Sequence, residues 1–174
     1  PEARAMSQPN QAPLTGAKPV FPEEDLPAIL AEIGDVLRGG RLILGPKTRE
    51  LEAGMATRVG VKHAVAVSSC TAALEIAYRW VGETKGGLAG KEILVPSNTF
   101  VATANAVVAA GAKPVFVDMD EGDYGVDAAD ALAKISDRTA AVVVVHIAGI
   151  IGAGSMELLA AARSRGIPTI EDCA

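Results

Sequence analysis

Short, continuous apolar segments alternate with helix-like segments along most of this 174-residue chain. No other feature constrains its fold as strongly. Residues 64–67, 92–95, 114–117, 140–146 and 167–171 read as strands. Between them, residues 71–81, 100–110, 128–135 and 155–164 read as helices, so the strand–helix unit recurs at intervals of roughly 25 residues. Strands that are apolar throughout, rather than at every second position, are buried on both faces. The expected fold class is therefore α/β, a mostly parallel sheet with helices on both faces. Two further helices are predicted ahead of it. One covers residues 23–37, with acidic residues in its first turn and Gly39 and Gly40 at its end. The other covers residues 48–59, where Leu51, Met55 and Val59 mark one apolar face and Gly60 stops the helix. Six of the ten prolines fall in the first 27 residues, so residues 1–22 are expected to form an extended arm.

Composition narrows the function classes. The net charge is −5 and the pI about 5.1, without the basic stripe of a nucleic-acid binder. No apolar run approaches the ~18 residues of a membrane span, and the N-terminus lacks a secretory-signal pattern. The expected partners thus include neither nucleic acid nor membrane. Two cysteines, Cys70 and Cys173, are too few for a disulfide framework, which points to a reducing cytoplasm. Aromatics are 3% of the chain and hydrophobic residues 49%, so the core must be built from Ala, Val, Leu and Ile.

In open α/β sheets, ligands bind beyond the carboxyl ends of the strands. Ser68–Thr71 follow the first predicted strand, and Ser97, Asn98, Thr99 and Phe100 the second. Asp118 and Asp120 follow the third, His146 closes the fourth, and Asp172 and Cys173 follow the fifth. Short polar residues at such places also cap helices and turns. Where Ser69-Cys70-Thr71 opens a helix, free N–H groups and the helix dipole make an anion site; a plain Ser N-cap fits that segment equally well.

Several segments come close to a known motif but lack a residue or spacing that it requires. Gly40 to Thr48 resembles a P-loop, but Pro46 precedes Lys47 and removes a cradling N–H. The glycines at 149, 152 and 154 lack dinucleotide-binding spacing. Asp118-Met119-Asp120 is read as a turn rather than a Mg²⁺ site. Cys70, Cys173 and His146 lack the spacing and the fourth ligand of a metal centre.

Spaced motifs in one order carry a family resemblance. They include Gly60-Val61-Lys62-His63-Ala64, Val67-Ser68-Ser69-Cys70-Thr71-Ala72-Ala73-Leu74 and Val95-Pro96-Ser97-Asn98-Thr99-Phe100-Val101-Ala102-Thr103-Ala104-Asn105. Gly111-Ala112-Lys113-Pro114-Val115-Phe116-Val117-Asp118, Val145-His146 with Gly149, and Ile170-Glu171-Asp172-Cys173-Ala174 complete the series. Over residues 22–174 the chain resembles the DegT–StrS group of sugar aminotransferases. The resemblance implies pyridoxal 5′-phosphate as cofactor and the aspartate-aminotransferase type of fold. It places Ser69, Cys70 and Thr71 at the cofactor phosphate, Phe100 against the pyridine ring and Asp172 at the pyridine nitrogen. Where Cys70 stands, the family has Gly or another small residue. His146 is assigned no catalytic step.

The same resemblance puts the Schiff-base lysine beyond Asp172. None of the seven lysines (Lys18, Lys47, Lys62, Lys85, Lys91, Lys113 and Lys134) matches that place. Residues 23–174 are accordingly expected to be an incomplete large domain, the N-terminal portion of an enzyme, marginally stable and inactive alone. The first predicted strand is expected to lose its neighbours in that state. The implied substrate is a keto-sugar nucleotide or related cyclic ketone, with glutamate or glutamine as amino donor, in a cytoplasmic homodimer. A sugar dehydratase of the same family and a non-catalytic relative are the alternatives.

Overall fold

The computed structural model describes residues 19–174. Most of the expected arm lies outside them, and residues 19–22 belong to no helix or strand. The chain divides into two compact units with the boundary between Ala66 and Val67.

The first unit holds α1 (Leu26–Gly39) and α2 (Pro46–Val59). Helix α1 starts later than predicted. Residues 23–25 form a turn in which the Asp25 N–H donates to the Pro22 carbonyl at 3.0 Å, so the acidic residues precede the helix. Pro27 sits in the first turn, where its missing N–H costs nothing. Pro46 does the same for α2, which turns the P-loop-like segment into an ordinary helix start. Lys47 ties the helices together, its Nζ lying 3.3 Å from Glu32 and 2.7 Å from Glu50.

Residues 64–67 do not form the expected first strand. They join no ladder, and the Ala66 N–H donates to Glu52 Oε1 at 2.9 Å. A short apolar run shows a preference for extended backbone, whereas a strand also needs a neighbour to exchange hydrogen bonds with.

The second unit carries α3 (Cys70–Lys85), β1 (Glu92–Pro96), α4 (Val101–Ala109), β2 (Lys113–Val117), α5 (Ala128–Lys134), β3 (Thr139–Val145), α6 (Ala153–Ser164) and β4 (Thr169–Asp172). The four strands are parallel, in the order β2-β1-β3-β4. Side-chain alternation splits the core into two layers. Ile93, Val95, Ala141 and Val143 pack with Leu74, Tyr78 and Val81 of α3 and Ala106 and Val107 of α4. Leu94, Val142 and Val144 face the other way, against Ala131 of α5 and Leu158, Leu159 and Ala162 of α6. Both faces of β1 and β3 are therefore dry, which explains their continuous apolar sequence.

The start of β1 is pinned by charge. Arg138 donates to Glu92 Oε1 through Nε at 3.0 Å and Nη2 at 2.9 Å, beside a register shift between Glu92 and Ile93. The guanidinium hydrogen bond holds the Glu92 carboxyl below its ordinary value of 4.5. A carboxylate with a depressed native pKa stabilises the fold above its unfolded value, and that stabilisation disappears as pH falls through the native one. Urea unfolding across an acid pH series is expected to show this loss, and Arg138→Met to flatten it.

Candidate active site

The order of the strands reverses between β1 and β3, the place where open α/β sheets bind ligands. Asp172, the last residue of β4, stands at this carboxyl edge and is only 8% exposed. Its backbone carbonyl accepts the His146 N–H at 2.9 Å, which locks the end of β4 to the end of β3. Its carboxylate is held from two helices. Cys70 Sγ of α3 lies 3.6 Å from Oδ1, and Thr103 Oγ1 of α4 donates to Oδ2 at 3.1 Å. The Ala174 N–H adds a bond to Oδ1 at 3.2 Å. No Lys, Arg or His side chain among the described residues forms an ion pair with it. Asp172 is thus a buried acid held only by neutral donors.

The start of α3 lies beside it. Ser69 is the N-cap, its Oγ accepting the Ala72 N–H at 3.2 Å and its carbonyl accepting the Ala73 N–H at 3.1 Å. The N–H groups of Cys70 and Thr71 have no acceptor among the described residues, as expected in a first helical turn. Ser69 is therefore an ordinary N-cap while the next two residues stay open to an anion. Phe100 is the N-cap of α4 and 74% exposed, one turn ahead of Thr103. The sheet edge thus brings Cys70 to Asp172, and the two helix starts carry Ser69, Thr71 and Phe100.

The remaining candidates have local roles. Asp118 Oδ1 accepts the Met119 N–H at 2.9 Å and Asp120 Oδ1 the Gly122 N–H at 2.7 Å, so both acids serve a turn. His146 Nε2 lies 2.9 Å from Glu171 Oε2, while its buried Nδ1 has no partner among the described residues. Among the described residues no group of three or more His, Cys, Asp or Glu is arranged to hold a metal ion.

From the sequence, Tyr78 and Thr103 carry no role, and Thr99 is only one of the polar residues that follow the second predicted strand. Thr103 is 1% exposed, and its carbonyl accepts the Tyr78 hydroxyl at 3.3 Å. The available signal was the four-residue spacing of Thr99 and Thr103 at a helix start after a strand, which puts two hydroxyls on one face.

Charge on Asp172 reaches its neighbours. Burial pushes the Cys70 thiol up, and the Asp172 carboxylate pushes it further. Burial also pushes up the Tyr78 phenol, with Asp172 adding to the effect. Thiolate is the species that alkylates. Iodoacetamide labelling of Cys70, followed by peptide mass spectrometry, is therefore expected to rise only above the ordinary thiol range of pH. Asp172→Asn removes a negative neighbour and should move that rise to lower pH.

A parallel α/β layer with an open helix start and a buried acid at its carboxyl edge is the layout of a cofactor-binding domain. Residues 24–174 match the sequence profile of the DegT/DnrJ/EryC1/StrS aminotransferase family, and the chain belongs to it. It is 42% identical over 146 residues to UDP-N-acetyl-3-dehydro-alpha-D-glucosamine 3-aminotransferase of Acidithiobacillus ferrooxidans, covering 84% of this chain and 38% of that protein. Its fold is similar to that of S. venezuelae DesV in complex with a ketimine intermediate: TM-score 0.75, 34% identity, 86% of this chain and 39% of that one. It is also similar to NtdA from Bacillus subtilis with bound cofactor PMP: TM-score 0.79, 27% identity, 87% of this chain and 34% of that one. The chain therefore spans between a third and two fifths of the length of these relatives. Among the described residues no helix is long and apolar enough to cross a membrane.

Proposed function

We propose that these residues form the N-terminal part, an incomplete large domain over residues 23–174, of a pyridoxal 5′-phosphate-dependent aminotransferase. The enzyme would act on a keto-sugar nucleotide or related cyclic ketone, with glutamate or glutamine as donor, as a cytoplasmic homodimer. The observation that carries this reading is the contact of Cys70 at the start of α3 with buried Asp172 at the end of β4. It sets an anion-ready helix start next to an acid that lacks a cation. A phosphorylated pyridine ring needs both within one cofactor's length.

The residues fit that group. The N–H groups of Cys70 and Thr71, the Thr71 hydroxyl and the α3 dipole would bind the phosphate. Phe100 would cover one face of the ring by an offset aromatic contact. Asp172 would accept the ring N–H and favour its protonated form. When bound, the cofactor supplies an electron sink for charge that builds on the amino-bearing carbon. Side chains, rather than the fold, select the sugar.

Absorbance titration of the full natural chain with pyridoxal 5′-phosphate tests the reading. Saturable uptake of one cofactor per chain is expected, followed by conversion to the amine form on addition of glutamate or glutamine. Absence of saturable uptake would overturn it.

A further inference from the structure

The carboxylate of Asp172 is approached by a chain of hydroxyls. Thr103 Oγ1 lies 3.1 Å from Asp172 Oδ2, and Thr99 Oγ1 lies 2.8 Å from Thr103 Oγ1. A hydroxyl has one proton to donate, and an ionised carboxylate can only accept. Thr103 must therefore donate to Asp172, so Thr99 must donate to Thr103. The direction of the whole chain follows from that count. Each bond polarises the next, and in a buried setting such a chain is stiffer than its separate members. Thr103 is itself fixed, because its N–H donates to the Phe100 carbonyl at 3.0 Å and its carbonyl accepts the Tyr78 hydroxyl at 3.3 Å.

The two oxygens of Asp172 are not equally engaged. Oδ1 takes the Cys70 thiol and the Ala174 N–H, whereas Oδ2 takes Thr103 alone. With about two lone pairs on each oxygen, Oδ2 keeps one free. We infer that Thr103, polarised by Thr99, is a positioning residue that fixes the carboxylate plane of Asp172 so that Oδ2 meets the cofactor's ring N–H. This inference rests on the cofactor reading above. It also assigns a task to the first turn of α4, which presents the ring-covering aromatic at Phe100 and the carboxylate-orienting hydroxyl at Thr103.

The test uses the full natural chain and pyridoxamine 5′-phosphate, the amine form, whose binding needs no covalent bond to the protein. Two quantities are read: the dissociation constant, and the pH midpoint at which absorption of the bound ring changes as its nitrogen loses a proton. Thr103→Val keeps the shape and removes the hydroxyl. It is expected to weaken binding about tenfold, the scale of one lost buried hydrogen bond, and to move the midpoint to lower pH at saturating ligand. Thr103→Ser should restore both. Thr99→Val, which leaves the Thr103 donor in place, should shift the midpoint less in the same direction, and it serves if Thr103→Val fails to fold. A purely structural role for Thr103 would lower apo-protein stability and leave the midpoint alone. If the parent binds and the folded variants keep its midpoint, this inference is overturned alone. A parent that takes up no ligand overturns the cofactor reading, and this inference with it.

Discussion

On the function proposed above, Asp172→Asn in the full natural chain is expected to fold like the parent and to transfer amino groups about 100- to 5,000-fold more slowly. Asparagine is isosteric, and its amide oxygen can still accept the Thr103 hydroxyl that Asp172 Oδ2 accepts at 3.1 Å, while the amide NH2 that replaces Oδ1 no longer accepts the Ala174 N–H. The fold therefore loses one hydrogen bond, about 0.5–1.5 kcal/mol. What disappears is the negative charge opposite the proposed ring nitrogen. Breaking a buried charge pair by removing one partner costs about 3–5 kcal/mol, and each 1.36 kcal/mol is a factor of ten in rate. Single-turnover kinetics with saturating cofactor, alongside circular dichroism, give the check. A folded Asp172→Asn variant within a few-fold of the parent rate would mean that this acid does not face the ring.

Gly154→Ala is expected to be the most destabilising single-methyl change in the second unit. A Cβ on Gly154 would collide with the Val126 carbonyl oxygen and lie 3.2 Å from the Ala128 nitrogen. Both are backbone atoms at the entry to α5, so neither can swing aside as a side chain would. Overpacking of this kind costs about 1–3 kcal/mol. Gly54→Ala is the matched contrast. It lies inside α2, and nothing stands within 4 Å of the added methyl. There alanine should stabilise by roughly 0.5–1 kcal/mol, the usual advantage over glycine inside a helix. Thermal unfolding of the two variants should move in opposite directions. A Gly154→Ala variant as stable as its parent would mean that the α6 start and the segment before α5 are not in close contact.

Much of this architecture was legible in local pattern. The continuous apolar runs of β1 and β3 announced strands covered on both sides, and the two core layers of Ile93, Val95, Ala141 and Val143 against Leu94, Val142 and Val144 are that coverage. Element ends moved by a few residues where a specific group took over: Pro27 delayed α1, and Pro46 began α2 earlier than predicted. Residues 64–67 have the composition of a strand, yet Ala66 donates to a glutamate side chain instead. Pairing is a property of two segments, so one segment's residues cannot specify it.

The site divides along the same line. Sequence alone marked which chemistry-bearing residues follow each apolar run. Phe100 does follow strand β1 and Asp172 does end β4, whereas Ser69–Thr71 follow residues 64–67, which pair with no neighbour, and stood out through the helix start and the spaced motifs around them. Only the tertiary structure decided that Asp172 is buried, that Cys70 reaches it across 102 positions of sequence, and that Thr103 reaches it across 69. Hydrogen bonds act over a few ångströms, and which groups come that close depends on how α3 and α4 pack beside the sheet.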